Sequence, residues 1–484
     1  MEPGRGGAAA GPERLRHEIA GAAGAGDAEA ATHGLLRLRA GPAGRGDRHA
    51  PPRSGPRREC RRVRVAVIGG GVIGLCAAHY LERRGAEVVL LERDAVGGGC
   101  SKGNGGWVCP SISRPLPAPG LTLTSLRWML RSDSPLYIKP SAIPRLMGWL
   151  WAFRRHCNAE SYRAGVTALA ALNAATDRLY RGLAEEGMAF ERAESGTILA
   201  YDDERELGQT QALLARLGEE RVGPVEVLDR DALAEAEPDL RGGLIGLRVR
   251  DDAHVRPESL CAELAASLEA RGVEIRTGER VVGFTRKGDR VRAAIAWAAR
   301  SGSAAHGRPA RIGADAFVLA AGAETSVLAE PLGAKLPVQA GKGYSITVGN
   351  ARVRLSQPLH VTPARIGFTP FRGAVRTIGT MEFSGINLRL DRRRIAILER
   401  AARRYLPGAL EGTERADWVG MRPVTPDGLP AVGQLPDLPN VYVATGHQML
   451  GVTLAPSTGH ALAQLMLDGR SDIELAPFDP ARLA

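Results

Sequence analysis

A chain of 484 residues with 44% hydrophobic content has material for more than one buried core, and its formal charge of +11 raises nucleic acid as a partner. The charge is badly placed for that role: residues 1–62 carry 12 Arg against 7 acidic residues with no aromatic side chain among them, which leaves +6 for the other 422 residues. No apolar run approaches the ~20 residues that cross a bilayer. The six cysteines form no CxxC pair, so neither a disulfide framework nor a metal site is expected, and a reducing cytoplasm is the simplest compartment.

In chain order, residues 1–62 are rich in Gly, Ala, Pro and Arg and read as a disordered extension, without the apolar core of a secretory signal. An over-called start codon explains it equally well. Order begins at Val63, where a nearly continuous β-branched run predicts a strand buried on both faces. A helix over Ile73 to Arg84 and a strand over Glu87 to Glu92 complete a βαβ unit. Helical segments follow around Leu126, Ile143 to Arg155 and Val166 to Glu186, then a strand-like run up to Pro257, a helix Glu258 to Arg271 and strands Val273 to Arg276 and Ala316 to Ala321. Strand pieces Tyr344 to Val348 and Val375 to Thr380, a helix Arg392 to Tyr405, a strand Val441 to Ala444 and a helix from about Thr453 to Leu467 finish the chain. The pattern predicts an α/β protein: a discontinuous Rossmann-like dinucleotide-binding domain (63–110, 248–334 and 416–470), an interleaved α+β substrate domain (111–247 and 335–415) and a C-terminal tail (471–484).

The first chemical motif is G-x-G-x-x-G at Gly69, Gly71 and Gly74, enclosing Val72 and Ile73 between strand and helix, with Glu92 ending the next strand. Gly69 permits the tight turn, Gly71 the approach of a pyrophosphate, and Gly74 close packing of helix on strand, while Glu92 suits a free ribose hydroxyl. That acid favours NAD or FAD over NADP and does not choose between them. No second fingerprint of this kind offers a nicotinamide site.

Three further segments carry a family resemblance. Leu91-Glu92-Arg93 with Ser101-Lys102-Gly103-Asn104-Gly105-Gly106 resembles the stretch that wraps the pyrophosphate and flavin in the D-amino acid oxidase and glycine oxidase superfamily. Phe317 to Ala323, including Ala321 and Gly322, resembles that superfamily's second nucleotide-contacting strand, and Thr277 to Val281 the element whose backbone meets the adenine. Arg422 to Gly433 and Thr445 to Gly459 resemble its C-terminal motif, in the same order. The resemblance covers residues 63–470, is greatest to the bacterial D-amino acid dehydrogenase branch through Trp128 to Ile138, and implies FAD as cofactor. Independently, Gly446 and Gly451 allow backbone to approach a flat ring, and a helix beginning near Val452, Thr453 and Leu454 aims its N–H groups at that position, with Pro456 read as lying in the first turn.

For the substrate, Gly420-Met421-Arg422-Pro423 matches the element whose arginine clamps a carboxylate in the superfamily, so Arg422 is the expected clamp, a guanidinium being the bidentate match for that group. Hydride would pass from Cα to flavin N5, and the electrons onward to a quinone, oxygen or a carrier protein. His447 and His360 are candidate proton carriers against the alternative of structural histidines, and Tyr344 is a candidate flavin or substrate contact against the alternative of strand-end packing. Met449 stands where glycine oxidase carries an arginine, which implies a less polar pocket, and Gln448, Val452 and Pro456 resemble relatives acting on cyclic substrates such as D-hydroxyproline. The expected activity is therefore oxidative deamination of D-amino acids, including a D-proline or D-hydroxyproline type. The alternatives are an oxygen-using sarcosine or glycine-type oxidase and a flavin-binding assembly factor without turnover. Trp149 to Arg155 is a basic, aromatic helical stretch that suits either core packing or peripheral contact with the inner membrane.

Overall fold

The computed structural model describes residues 62–121, 134–298 and 309–484. The extension expected over 1–62 falls, apart from Arg62, outside them, as do the helix expected around Leu126 and the segment Trp128 to Asp133.

Val65 to Ile68 are apolar on both faces because the strand Arg64–Ile68 lies inside a six-stranded sheet, parallel to Glu87–Leu91 on one side and Ala316–Leu319 on the other. Glu274–Arg276 extends one flank, and Val441–Thr445 with antiparallel Ala431–Gln434 the other. The helix Val72–Arg83 crosses Gly451–Asp468 so closely that a β-carbon on Gly459 would stand 2.6 Å from the Cys76 backbone. Helices Ala159–Asn173 and Thr176–Glu185 add Leu169, Leu172, Tyr180 and Leu183 to this same core, although the sequence pattern groups them with the substrate domain.

The second sheet has nine strands, in the order Glu414–Val424, Gln339–Gly349, Ala374–Phe383, Ile366–Phe371, Leu359–Val361, Thr197–Tyr201, Ile245–Val249 and Val225–Leu228, with Leu136–Ile138 against the end of Ala374–Phe383. The helix Arg392–Tyr405, its N-terminus capped by Asp391, backs the sheet and buries Ile395, Leu398 and Ala402 against Tyr344, Ile346 and Phe368. Strand Glu414–Val424, grouped with the nucleotide-binding part by sequence, pairs here along its full length with Gln339–Gly349. Strand identity is local, whereas the choice of sheet depends on a partner 65 to 85 residues away, so the pattern alone assigned it to the neighbouring domain.

The last helix begins at Gly451, which makes Pro456 its sixth residue rather than part of the first turn. A proline there leaves the carbonyl four residues earlier, that of Val452, without its helical donor. The buried Tyr180 hydroxyl donates to that carbonyl at 2.7 Å.

Candidate active site

At the nucleotide end, Gly69 adopts φ +113° and a β-carbon there would stand 2.4 Å from the Ala320 carbonyl oxygen, while one on Gly74 would stand 1.9 Å from the Gly69 carbonyl oxygen. Gly71 has only the Ser101 hydroxyl within 4 Å of that position, and Gly322, at φ +57°, has nothing. The turn is closed against protein behind and open in front. The Glu92 carboxylate accepts the Gly70 N–H at 2.7 Å and the Asp94 N–H at 2.8 Å, one on each oxygen. Arg93 is engaged with Glu324 at 2.6 Å, a clip between the ends of two parallel strands. Gly278 and Glu279 donate to the Asp94 and Glu92 carbonyls, which brings the strand containing Val281 alongside.

The loop after Glu92 joins the two sheets. Ser101 accepts the Val72 N–H at 3.1 Å at the start of the fingerprint helix, and Asn104 accepts the Gly106 N–H at 2.8 Å. The glycines of this loop answer to protein neighbours: a β-carbon on Gly103 would strike the Trp418 ring at 2.1 Å, one on Gly105 would meet Ile378 at 2.6 Å, and one on Gly106 the Val255 carbonyl at 1.9 Å. Gly420 likewise leaves room for Trp418, at 1.9 Å. Buried Arg376 donates to the carbonyls of Lys102 and Asn104 and pairs with Glu258. Sequence reasoning missed Trp418 and Arg376; the only local signal was the aromatic residue two positions before Gly420.

On the same face of the large sheet, the Arg422 guanidinium lies over Gly343, where a β-carbon would stand 2.3 Å from its carbon. Its Nη1 donates to the Thr380 carbonyl at 3.0 Å, and it has no carboxylate partner among the described residues. Burial lowers its pKa, while nearby Cys100 acts in the opposite direction. Thr380 itself, missed by sequence reasoning, holds φ +56°, an outlying conformation for a β-branched residue.

Tyr344 is not brought to this face. Strand alternation turns it to the opposite side of the sheet from Gly343, where its hydroxyl donates to Glu382 at 2.5 Å within the core under Arg392–Tyr405. His360 lies near Trp107, ring centroids 6.1 Å apart, and burial lowers its pKa to about 3. His447, in the loop after Gly446 at φ +81°, pairs with Val424, and its Nε2 is 3.0 Å from the Thr458 hydroxyl. Its buried Nδ1 and the Gln448 Oε1 lack hydrogen-bond partners, and burial lowers the His447 pKa to about 3. Thr453 donates to the Trp107 carbonyl at 2.8 Å, and Leu454 is fully buried. The first N–H groups of the helix starting at Gly451 have no partner within it.

These features fit a flavin dinucleotide: an open glycine turn at a helix start, an acid beside it, and a second helix start with unsatisfied polar groups in the loop leading to it. Residues 64–465 match the FAD dependent oxidoreductase family. The chain belongs to that family. It is 34% identical over 429 residues to the D-amino acid dehydrogenase of Methylobacterium nodulans, covering 87% of this chain and 99% of that one. It is 32% identical to the D-amino acid dehydrogenase of Rhizorhabdus wittichii, over 85% and 98%. Among solved structures, glycine oxidase from Bacillus cereus superposes with a TM-score of 0.62 at 22% identity, covering 86% of this chain and 98% of that one. Membership of the FAD-dependent oxidoreductases makes FAD the cofactor and excludes the reading of the fingerprint as an NAD site.

Proposed function

We propose that the protein oxidises amino acids at the carbon bearing nitrogen, acting on D-amino acids, including a D-proline or D-hydroxyproline type, as a dehydrogenase. The observation that carries this is Arg422: a cation without a carboxylate partner among the described residues, one edge held by Thr380, the rest of the fork left for an arriving carboxylate. The relatives named D-amino acid dehydrogenase support the D configuration. Gly69, Gly71, Gly74, Glu92 and Ser101 would hold the adenine-nucleotide half of FAD, and the Gly446 to Leu454 segment its ring. When bound, FAD supplies the two-electron acceptor for the hydride leaving Cα.

The chain's own part is orientation. Arg422 fixes the carboxylate, and His447, held neutral by burial, serves as a hydrogen-bonding group rather than as a base. The ammonium proton passes to solvent before oxidation; the imino acid released from a primary amine hydrolyses in water to an oxo acid and ammonia, whereas a proline-type substrate leaves as a cyclic imine that keeps its nitrogen.

A membrane quinone suits the surface as electron acceptor. On Ile143–His156, Trp149 is buried against Phe153 and Phe383, but Met147 and Trp151 are 57% and 62% exposed, and Arg155 stacks 4.8 Å from the Trp151 ring. Residues 134–158 carry Lys139, Arg145, Arg154 and Arg155 and no acid. An apolar edge with basic flanks matches an anionic lipid surface. No helix among the described residues is long and apolar enough to cross a membrane, so this contact is peripheral. Co-sedimentation with anionic vesicles at low salt, reduced by Trp151→Ser, is expected; no binding removes this part of the reading.

The decisive experiment is anaerobic mixing of FAD-loaded protein with D- and L-amino acids, D-hydroxyproline and sarcosine, watching the flavin's visible band. Bleaching by D-amino acids is expected; bleaching by sarcosine alone would support a secondary-amine oxidase, and none at all would overturn amino-acid oxidation. Arg422→Ala should raise KM roughly 100-fold or more, the loss of a bidentate charge-assisted pair.

A further inference from the structure

The large sheet is irregular at one point, directly behind Arg422. Lys342 pairs with Glu382 and Tyr344 with Gly379, so Gly343 alone faces both Thr380 and Met381, a bulge of two residues against one. Met381 gives its N–H to the Pro135 carbonyl at 2.7 Å instead. Thr380 takes the left-handed conformation, and its carbonyl thereby reaches Arg422. A β-branched residue in that conformation is strained and persists only where its surroundings over-determine it.

Those surroundings lie on the other side of the sheet. Lys342 and Tyr344, the neighbours of Gly343, both turn to the helix side and both end on Glu382: Lys342 Nζ on Oε1 at 3.0 Å, the Tyr344 hydroxyl on Oε2 at 2.5 Å. Lys342 also donates to Asn387 Oδ1 and the Arg389 carbonyl, and Ser384 donates to Glu382, so the buried charges are fully engaged. Burial alone would raise the Glu382 pKa, but the Ser384, Tyr344 and Lys342 donors outweigh it and hold the carboxyl below its ordinary value. One carboxylate thus ties the residues on both sides of Gly343 to the strand that contains Thr380.

We propose that Glu382, through Lys342 and Tyr344, is the positioning residue of the Arg422 clamp: this buried staple holds the bulge that points the Thr380 carbonyl at one edge of the guanidinium and leaves the other for substrate. The inference rests on Arg422 being the carboxylate clamp. It gives Tyr344 a role that touches neither flavin nor substrate.

The test is a double-mutant cycle on FAD-loaded protein with whichever amino acid bleaches the flavin. Tyr344→Phe should raise KM roughly 10-fold, the worth of one hydrogen bond to a charged group, with kcat at saturation within about twofold. Glycine adopts positive φ without strain, so in a Thr380→Gly background the bulge no longer depends on the staple. The KM effect of Tyr344→Phe, measured against Thr380→Gly alone, should there shrink to about twofold. An unchanged KM in Tyr344→Phe, or an equal rise in both backgrounds, overturns the proposal. If Tyr344→Phe does not fold, Glu382→Gln is carried through the same cycle with the same expectations. Arg422→Ala separates the two failures: an unchanged KM there overturns the clamp itself, whereas a raised KM there with an unaffected Tyr344→Phe overturns only the staple.

Discussion

The Tyr180 hydroxyl supplies the hydrogen bond that Pro456 denies to the Val452 carbonyl. A proline six residues into a helix is tolerated here because a side chain from another helix, 276 residues earlier in the chain, replaces the missing N–H. The same contact ties Thr176–Glu185 to the start of the helix that would face the flavin ring, where Thr176 also reaches the Thr453 carbonyl and the Ser457 hydroxyl. Tyr180→Phe leaves a buried carbonyl unpaired and should lower stability by about 1–3 kcal/mol. In a Pro456→Ala background the helix supplies its own donor, so the same substitution should cost markedly less. Urea unfolding of the four proteins measures this, and equal penalties in both backgrounds would show that the hydroxyl does not stand in for the helical bond.

Gly343→Ala tests the contact between Gly343 and Arg422. The added methyl would sit 2.3 Å from the guanidinium, the far end of a flexible side chain, so the arginine should move while the fold persists. The expected outcome is a rise in KM approaching that of Arg422→Ala, with a melting temperature within a few degrees of the parent. A large loss of stability with little change in KM would mean that the backbone, not the arginine, had yielded.

Two kinds of buried titratable group predict opposite pH dependences. Burial lowers His79, His360 and His447 to about 3, from an ordinary value of 6.5. The unfolded chain takes up these protons first, so their stabilisation is complete above pH 6.5 and is lost as pH falls toward 3. Asp252, buried beside Ser111 and Cys109, is raised to about 7 from 3.8. The folded chain holds that proton, so this contribution is present below about pH 3.8 and is lost as pH rises to about 7. Asp252→Asn should therefore gain on the parent protein between pH 4 and 7, by up to roughly 4 kcal/mol. His447→Gln should lose less stability than the parent between pH 6.5 and 4. Urea midpoints across this range check both signs, and parallel curves would overturn the assignments.

What the sequence determined by itself is local and periodic. The strand from Val63, the fingerprint glycines with Glu92, and the helix Arg392–Tyr405 follow from apolar spacing and glycine placement, which lie within a few residues of one another. Arg422 stands out as the candidate clamp because the element that resembles the family's carboxylate-binding arginine, Gly420 to Pro423, is contiguous; its role as the clamp is what we propose. Tertiary structure decided everything that depends on which surface a residue meets. It placed Glu414–Val424 in the large sheet, gave Gly103 and Gly420 to Trp418, and drew helices from the apparent second domain into the first core. It also turned Tyr344 away from Arg422, because neighbours along a strand face opposite sides and only the fold says which side is the site. The strained Thr380 had no signal in the chain: its conformation is imposed by a bulge, and a bulge exists only once two distant strands have paired.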